Sequence, residues 1–193
     1  MADQAQGHLT GGLDSGQIWV RWTPEVADDY PSIANAVADF RAKGTEQGKE
    51  AALAATHWLK ERSLPNYRTT VTWLMLNSAE DFVEGYYSLA SAQVELRTDH
   101  RKALDSSEYP IQPAALITWI AKDERTHISG KQLLAHAVGI AVKVAQWQGV
   151  VAIVLDPFND KTAKIWRAAP YNFKSSMTRS ADGRRRLWRH LVI

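Results

Sequence analysis

Arg125, His127, Gly130 and Lys131 share one short polar loop, between an apolar block and an apolar-periodic segment. Cationic side chains, with a glycine, at the start of a helix suit a phosphate. The first turn of a helix leaves backbone N–H groups unpaired, and its dipole favours negative charge there. The chemistry this predicts is capture of an anion. A plainer reading fits the same residues: a well-capped helix start with solvated Arg125 and Lys131 and an exposed His127. Both readings stand at this level. Glu84, Glu95 and Glu108 are candidate general bases, although carboxylates beside a sheet are most often simply solvated.

The flanking elements must hold that loop. AALITWIAK, from Ala114, is a near-continuous apolar run of strand length, which predicts a buried strand. After the loop, Leu133, Leu134, Ala137, Val138, Ala141, Val144 and Ala145 recur at three- and four-residue spacing, and Gly149 closes the pattern. Ser129 and Gln132 form an S-x-x-Q capping box, with Ile128 and Leu133 as a hydrophobic staple.

Elsewhere the chain alternates. Gln17 to Trp22 predicts a strand, Pro31 to Ala42 and Glu46 to Arg62 predict helices, and Thr69 to Leu76 predicts a β-branched, aromatic strand. Phe82 to Leu96 predicts a long strand, in a hairpin with its predecessor across the turn Asn77 to Asp81. Arg97 to Pro110 reads as a loop. Val150 to Leu155 predicts a buried strand, Asn159 to Ala168 a short helix, and Tyr171 to Lys174 and Arg185 to Val192 the closing strands. Residues 1–16 read as a flexible tail and 17–193 as one domain, with no internal repeat.

Composition narrows the class. With 193 residues, 45% hydrophobic and 23% charged, the chain is an ordinary globule large enough for a real core. No cysteine is present, which excludes disulfides, thiolate metal sites and a cysteine nucleophile and fits a reducing, cytoplasmic setting. The six histidines lack metal-ligand spacing, so no metal is expected, and His57 and His136 read as structural. No apolar run reaches membrane-spanning length. The net charge of +2 argues against the whole chain as an electrostatic nucleic-acid binder, but Arg179, Arg184, Arg185, Arg186 and Arg189 crowd the C-terminus. They suit either phosphates or protection of a terminal strand edge.

Three stretches carry a resemblance: GYYSLASAQVEL from Gly85, ITWIAKDERTHISGKQLL from Ile117, and YNFKSSM followed by RRLWRHLVI. Over roughly residues 17–193 the chain resembles the GCN5-related N-acetyltransferase family, and within it the acetyltransferase toxins of bacterial toxin–antitoxin pairs. The resemblance implies an α/β (α+β) fold with a mixed central sheet of six to seven strands and about four flanking helices. It implies acetyl transfer from acetyl-CoA to an amine. The pantetheine arm would meet the backbone at Ile120, Ala121 and Lys122. The family's Arg/Gln-x-x-Gly-x-Gly/Ala loop falls on Arg125, Thr126, His127, Ile128, Ser129 and Gly130, with Lys131 following. Ile128 stands where that pattern has its first glycine, which predicts either a different loop path or weaker phosphate contacts. Asn159 and Trp166 are implied cofactor contacts on the fourth helix. The family's catalytic tyrosine there falls on Trp166 or Arg167, neither of which is an acid near neutral pH. Tyr171 is the nearest phenol; the other source of the proton is water.

The resemblance also implies partners: an aminoacyl-tRNA acceptor, a ribbon-helix-helix antitoxin and a second copy of the chain as a homodimer. Two alternatives remain open, acetylation of a small-molecule or protein amine, and a catalytically weak protein that binds a partner.

Overall fold

The computed structural model describes residues 9–11, 17–44, 48–77, 79, 82–103 and 109–191. Outside these lie Glu108, the start of the helix expected from Glu46, the strand end at Val192, most of the turn before Phe82 and most of the expected tail. Leu9–Gly11, inside that tail, forms a strand, β1. Contacts divide the chain into two units, 1–88 with 119–133, and 89–118 with 134–193.

The first unit begins with β1 and β2 (Ile18–Trp22), paired antiparallel. Thr23 then caps α1 (Pro24–Asp29) by accepting from the Val26 N–H, with proline at the first helical position, where no N–H is needed. Pro31 starts α2 (Pro31–Asp39) in the same way; Ile33, Ala36 and Val37 form its buried face. α3 (Lys49–His57) continues into a π-helical turn, Trp58–Arg62. β3 (Val71–Leu76) pairs antiparallel with β2. Strand order here is β1-β2-β3-β4-β5, where β4 is Val83–Glu95 and β5 is Ile111–Lys122, each shared by both units. Val20, Trp22, Phe40, Leu59, Leu74, Leu76 and Tyr86 make the core. Burying a side chain of this size contributes about 1.5–3 kcal/mol. Tyr86 sets its ring edge-on to Phe40 at 5.4 Å and donates its hydroxyl to the Ala55 carbonyl at 2.6 Å.

Gly85 lies where β4 meets β5. A Cβ there would stand 3.0 Å from the Ala121 carbonyl oxygen and 2.9 Å from a Leu133 methyl, so the close approach requires glycine.

The second unit has the order β4-β5-β6-β8-β7, with β6 at Ala152–Leu155, β7 at Lys174–Arg179 and β8 at Arg185–His190. β5 and β6 are parallel; β6 with β8 and β8 with β7 are antiparallel, so the sheet is mixed. Most of α5 (Gly130–Gln148) belongs here, and Gly149 ends it at φ 66°, its N–H bonded to the Ala145 carbonyl. Val94, Leu96, Ala114, Ala152, Val154 and Trp188 form this core.

Three expectations are corrected. The stretch expected as a loop after Arg97 contains a six-residue helix, α4 (Thr98–Ala103), too short to show periodicity. The strand expected at Tyr171 to Lys174 starts only at Lys174. Tyr171 and Asn172 both donate their N–H groups to the Ala168 carbonyl, and Asn172 takes φ 55°, so this segment turns. His57, expected as a structural residue, is exposed on α3.

Candidate functional site

β5 is longer than its parallel partner. Their ladder ends at Ile117 opposite Leu155, yet β5 runs on to Lys122. Ile120, Ala121 and Lys122 therefore lie on the overhang, all half-buried. Lys122 donates its Nζ to the Ile128 carbonyl at 2.9 Å and so spans the base of the following loop.

That loop is organised by Asp123, a residue that the sequence reading passed over. Its side chain is fully buried and accepts from the Arg41 N–H (2.9 Å), the Arg125 N–H (2.9 Å), Arg125 Nε (2.7 Å) and Arg125 Nη2 (3.1 Å). Burial alone would raise its pKa. The hydrogen bonds from Arg125 and Arg41 outweigh burial and hold it below the usual carboxylate range. Lys43 N–H to the Lys122 carbonyl and Glu124 N–H to the Arg41 carbonyl complete the seam. Arg125, expected to reach for a phosphate, thus rests on Asp123 with its guanidinium 4.9 Å from the Phe82 ring centre. The only sequence signal for Asp123 was an arginine two residues on.

Thr126 is buried. Its hydroxyl accepts from the Ile128 N–H at 3.2 Å and lies 3.4 Å from Glu84 Oε1. Glu84 is half-buried, and burial raises its carboxyl pKa against the lowering effect of Thr126. Ile128 needs no left-handed backbone, since Asn172 alone among the described non-glycine residues has a positive φ. His127 and Ser129 are exposed. At the start of α5, Gln132 Oε1 accepts from the Ser129 N–H at 3.0 Å, whereas Ser129 Oγ accepts from Lys131 N–H at 3.2 Å instead of from Gln132. The first turn of α5 carries no acidic residue; it opens Gly130-Lys131. Helix starts favour acidic side chains, so this positive end lacks its usual partner.

In the second unit, Asn159 caps α6 (Asp160–Arg167) through a reciprocal box with Thr162. Trp166 meets Tyr171 edge-on at 4.9 Å and Phe173 at 5.7 Å. Tyr171 is half-buried, and its carbonyl accepts from Arg189 at 3.4 Å. The other phenols of interest are enclosed: Tyr86 and Tyr87 are fully buried, and burial pushes both far above their ordinary range. Arg186 grips Asp156 at two points, 2.8 and 2.7 Å, and also the Gln93 carbonyl. Glu95 is exposed. No cluster of three or more metal-ligating residues occurs among the described residues, and no described helix is long and apolar enough to cross a membrane.

No family model matches the chain, and no curated protein is similar to it in sequence. Solved structures are similar in fold. AtaT complexed with acetyl-methionyl-tRNAfMet superposes with a TM-score of 0.63 at 16% identity, over 80% of this chain and 86% of that one. AtaTR bound with AcCoA gives 0.61 at 16%, over 91% and 93%. A variant of KacT gives 0.61 at 16%, over 80% and 87%. These proteins and this chain share a mixed sheet with flanking helices, and the chain therefore has the fold of the GCN5-related N-acetyltransferase toxins.

Proposed function

We propose that the chain is an acetyl-CoA-dependent N-acetyltransferase that acts on the amino group of an aminoacyl-tRNA and is neutralised by an antitoxin. The observation that carries the reading is the β5 overhang running into an α5 start with no acidic residue. The likeness to AtaT solved with acetyl-methionyl-tRNAfMet, and with the antitoxin AtaR and acetyl-CoA, supports it.

The residues fit the cosubstrate. Ile120, Ala121 and Lys122 would hold the pantetheine arm through their backbone groups. The loop 125–131 and the positive end of α5 would hold the pyrophosphate, with oxygens replacing Gln132 Oε1 and Ser129 Oγ on the Ser129 and Lys131 N–H groups. Lys131 supplies charge, His127 is exposed, and Asp123 keeps Arg125 and the loop in place. Thr126 shapes the loop from within by accepting from the Ile128 N–H, and Gly130 opens the helix. Asn159 fixes the start of α6, and Trp166 packs against Tyr171. Acetyl-CoA, when bound, supplies an activated thioester whose leaving group is a thiolate. Tyr86 and Tyr87 are locked in the core, so the proton for that thiolate is left to Tyr171, the phenol that the resemblance implies, or to water.

A second reading, a partner-binding protein with little transferase activity, draws on two points: neither Trp166 nor Arg167, where the family's tyrosine falls, is an acid, and the helix start caps itself. The two are separated by calorimetric titration of acetyl-CoA into the wild type and the Lys131→Ala and Gly130→Trp variants, followed by acetylation of charged tRNA. Binding that both variants weaken, with label transferred to the aminoacyl group, is expected. An absence of acetyl-CoA binding would end the enzyme reading.

A further inference from the structure

Pro157, Asp160, Ala163, Arg167, Arg179, Gly183, Arg184 and Arg185 line a half-open cavity of about 330 Å³ in the second unit. Four arginines line it with one carboxylate, Asp160, while Asp182 and Asp156 act on Arg184 from outside the lining. Two of the four are fixed: Arg184 pairs with Asp182 and lies over the Phe158 ring, and Arg179 donates to the Gly183 carbonyl. No described group pairs with the guanidinium of Arg167 or of Arg185.

The strand register sharpens the point. Arg179 and Arg185 are direct cross-strand partners in the β7–β8 hairpin. Like charges placed opposite each other destabilise an antiparallel pair, and a guanidinium cannot discharge itself by losing a proton. Guarding the edge of β7 would need charge on that strand alone. Arg167 arrives from α6, a separate element, and lines the same cavity. A multivalent oxyanion would relieve the repulsion between Arg179 and Arg185 and give Arg167 and Arg185 the forked acceptors that guanidinium groups match.

We propose that this cavity is a binding site for phosphate oxyanions, of a size that suits two or three linked phosphates. The site is independent of acetyl transfer and stands whether or not the chain is an enzyme. The phosphates could come from a free oligophosphate or from a nucleic-acid backbone, which present the same chemistry.

The test is calorimetric titration of tripolyphosphate into the full chain and into the Arg167→Gln/Arg185→Gln and Gly130→Trp variants. The expected result is wild-type binding that weakens with salt, falls by roughly tenfold or more in the double variant and survives in Gly130→Trp. Binding that the double variant keeps, binding that Gly130→Trp removes, or no binding at all would overturn the proposal. Displacement of tripolyphosphate by a short single-stranded RNA assigns the site to a nucleic-acid backbone; failure to displace it assigns a free oligophosphate. Arg185→Gln alone should melt no lower than the wild type in phosphate-free buffer, because it removes a repulsion. A drop of several degrees would mark Arg185 as structural and count against the proposal.

Discussion

The carboxylate of Asp123 and the guanidinium of Arg125 form a two-point pair, Nε to Oδ1 at 2.7 Å and Nη2 to Oδ2 at 3.1 Å, with the carboxylate wholly buried and the guanidinium reaching solvent. Two backbone N–H groups, from Arg41 and Arg125, share the same carboxylate. The loop is thereby tied to a segment 82 residues earlier in the chain. Asp123→Asn keeps the shape but removes the charge, and should cost about 2–3 kcal/mol at neutral pH. The carboxyl pKa is held low in the folded state, so its contribution is fully present above the unfolded value of roughly 4 and is lost as pH falls through the folded value. The gap between the wild type and Asp123→Asn, read from urea midpoints, should therefore be wide at pH 7 and shrink as pH falls below the unfolded value. A gap independent of pH would contradict the charge argument.

Gly85→Ala should destabilise the chain by about 1–3 kcal/mol. The Leu133 methyls can move aside, but the Ala121 carbonyl, 3.0 Å from the new Cβ, belongs to strand backbone. Chemical denaturation would detect the loss, and an unchanged midpoint would mean that β4 and β5 yield more readily than their geometry indicates.

Tyr171→Phe separates the sources of the final proton. With Tyr171 as donor, kcat for acetyl transfer should fall by roughly a hundredfold while the Kd for acetyl-CoA stays the same. An unchanged kcat would assign the proton to water.

His136 lies half-buried on α5, and burial, aided by the Lys143 charge, pushes its imidazole down to about 4. The unfolded chain binds a proton near pH 6.5 that the folded chain refuses, so between about 4 and 6.5 stability rises with pH. His136→Gln should flatten that slope in urea midpoints taken across the window; an identical slope would exclude His136 as its source.

The elements that shape the loop were legible because their signals are local. β5 is a dense apolar run, and α5 repeats its apolar positions over several turns and ends on Gly149, found at φ 66°. α4 spans only six residues and shows no repeat. β7 reads KSSMTR, polar except for Met177, while the aromatic Tyr171 just before it suggested a strand and is instead part of a turn. The site was half legible for a similar reason. Arg125 and Lys131 announce themselves by type, but the role of Asp123 depends on Arg41, which no sequence window brings near it. That both Tyr86 and Tyr87 are buried reflects a strand covered on both faces, which simple alternation does not predict.

Trp58 and Trp119 lie nearly parallel, ring centres 5.7 Å apart and planes at 20°, with Trp58 Nε1 held on the Ser88 hydroxyl. Two indoles so close share their electronic excitation, and the shared state splits into a circular-dichroism couplet that neither ring shows alone. Both tryptophans belong to the first unit. The molecule thus carries an intrinsic optical label on that unit, one that disappears when the first unit opens.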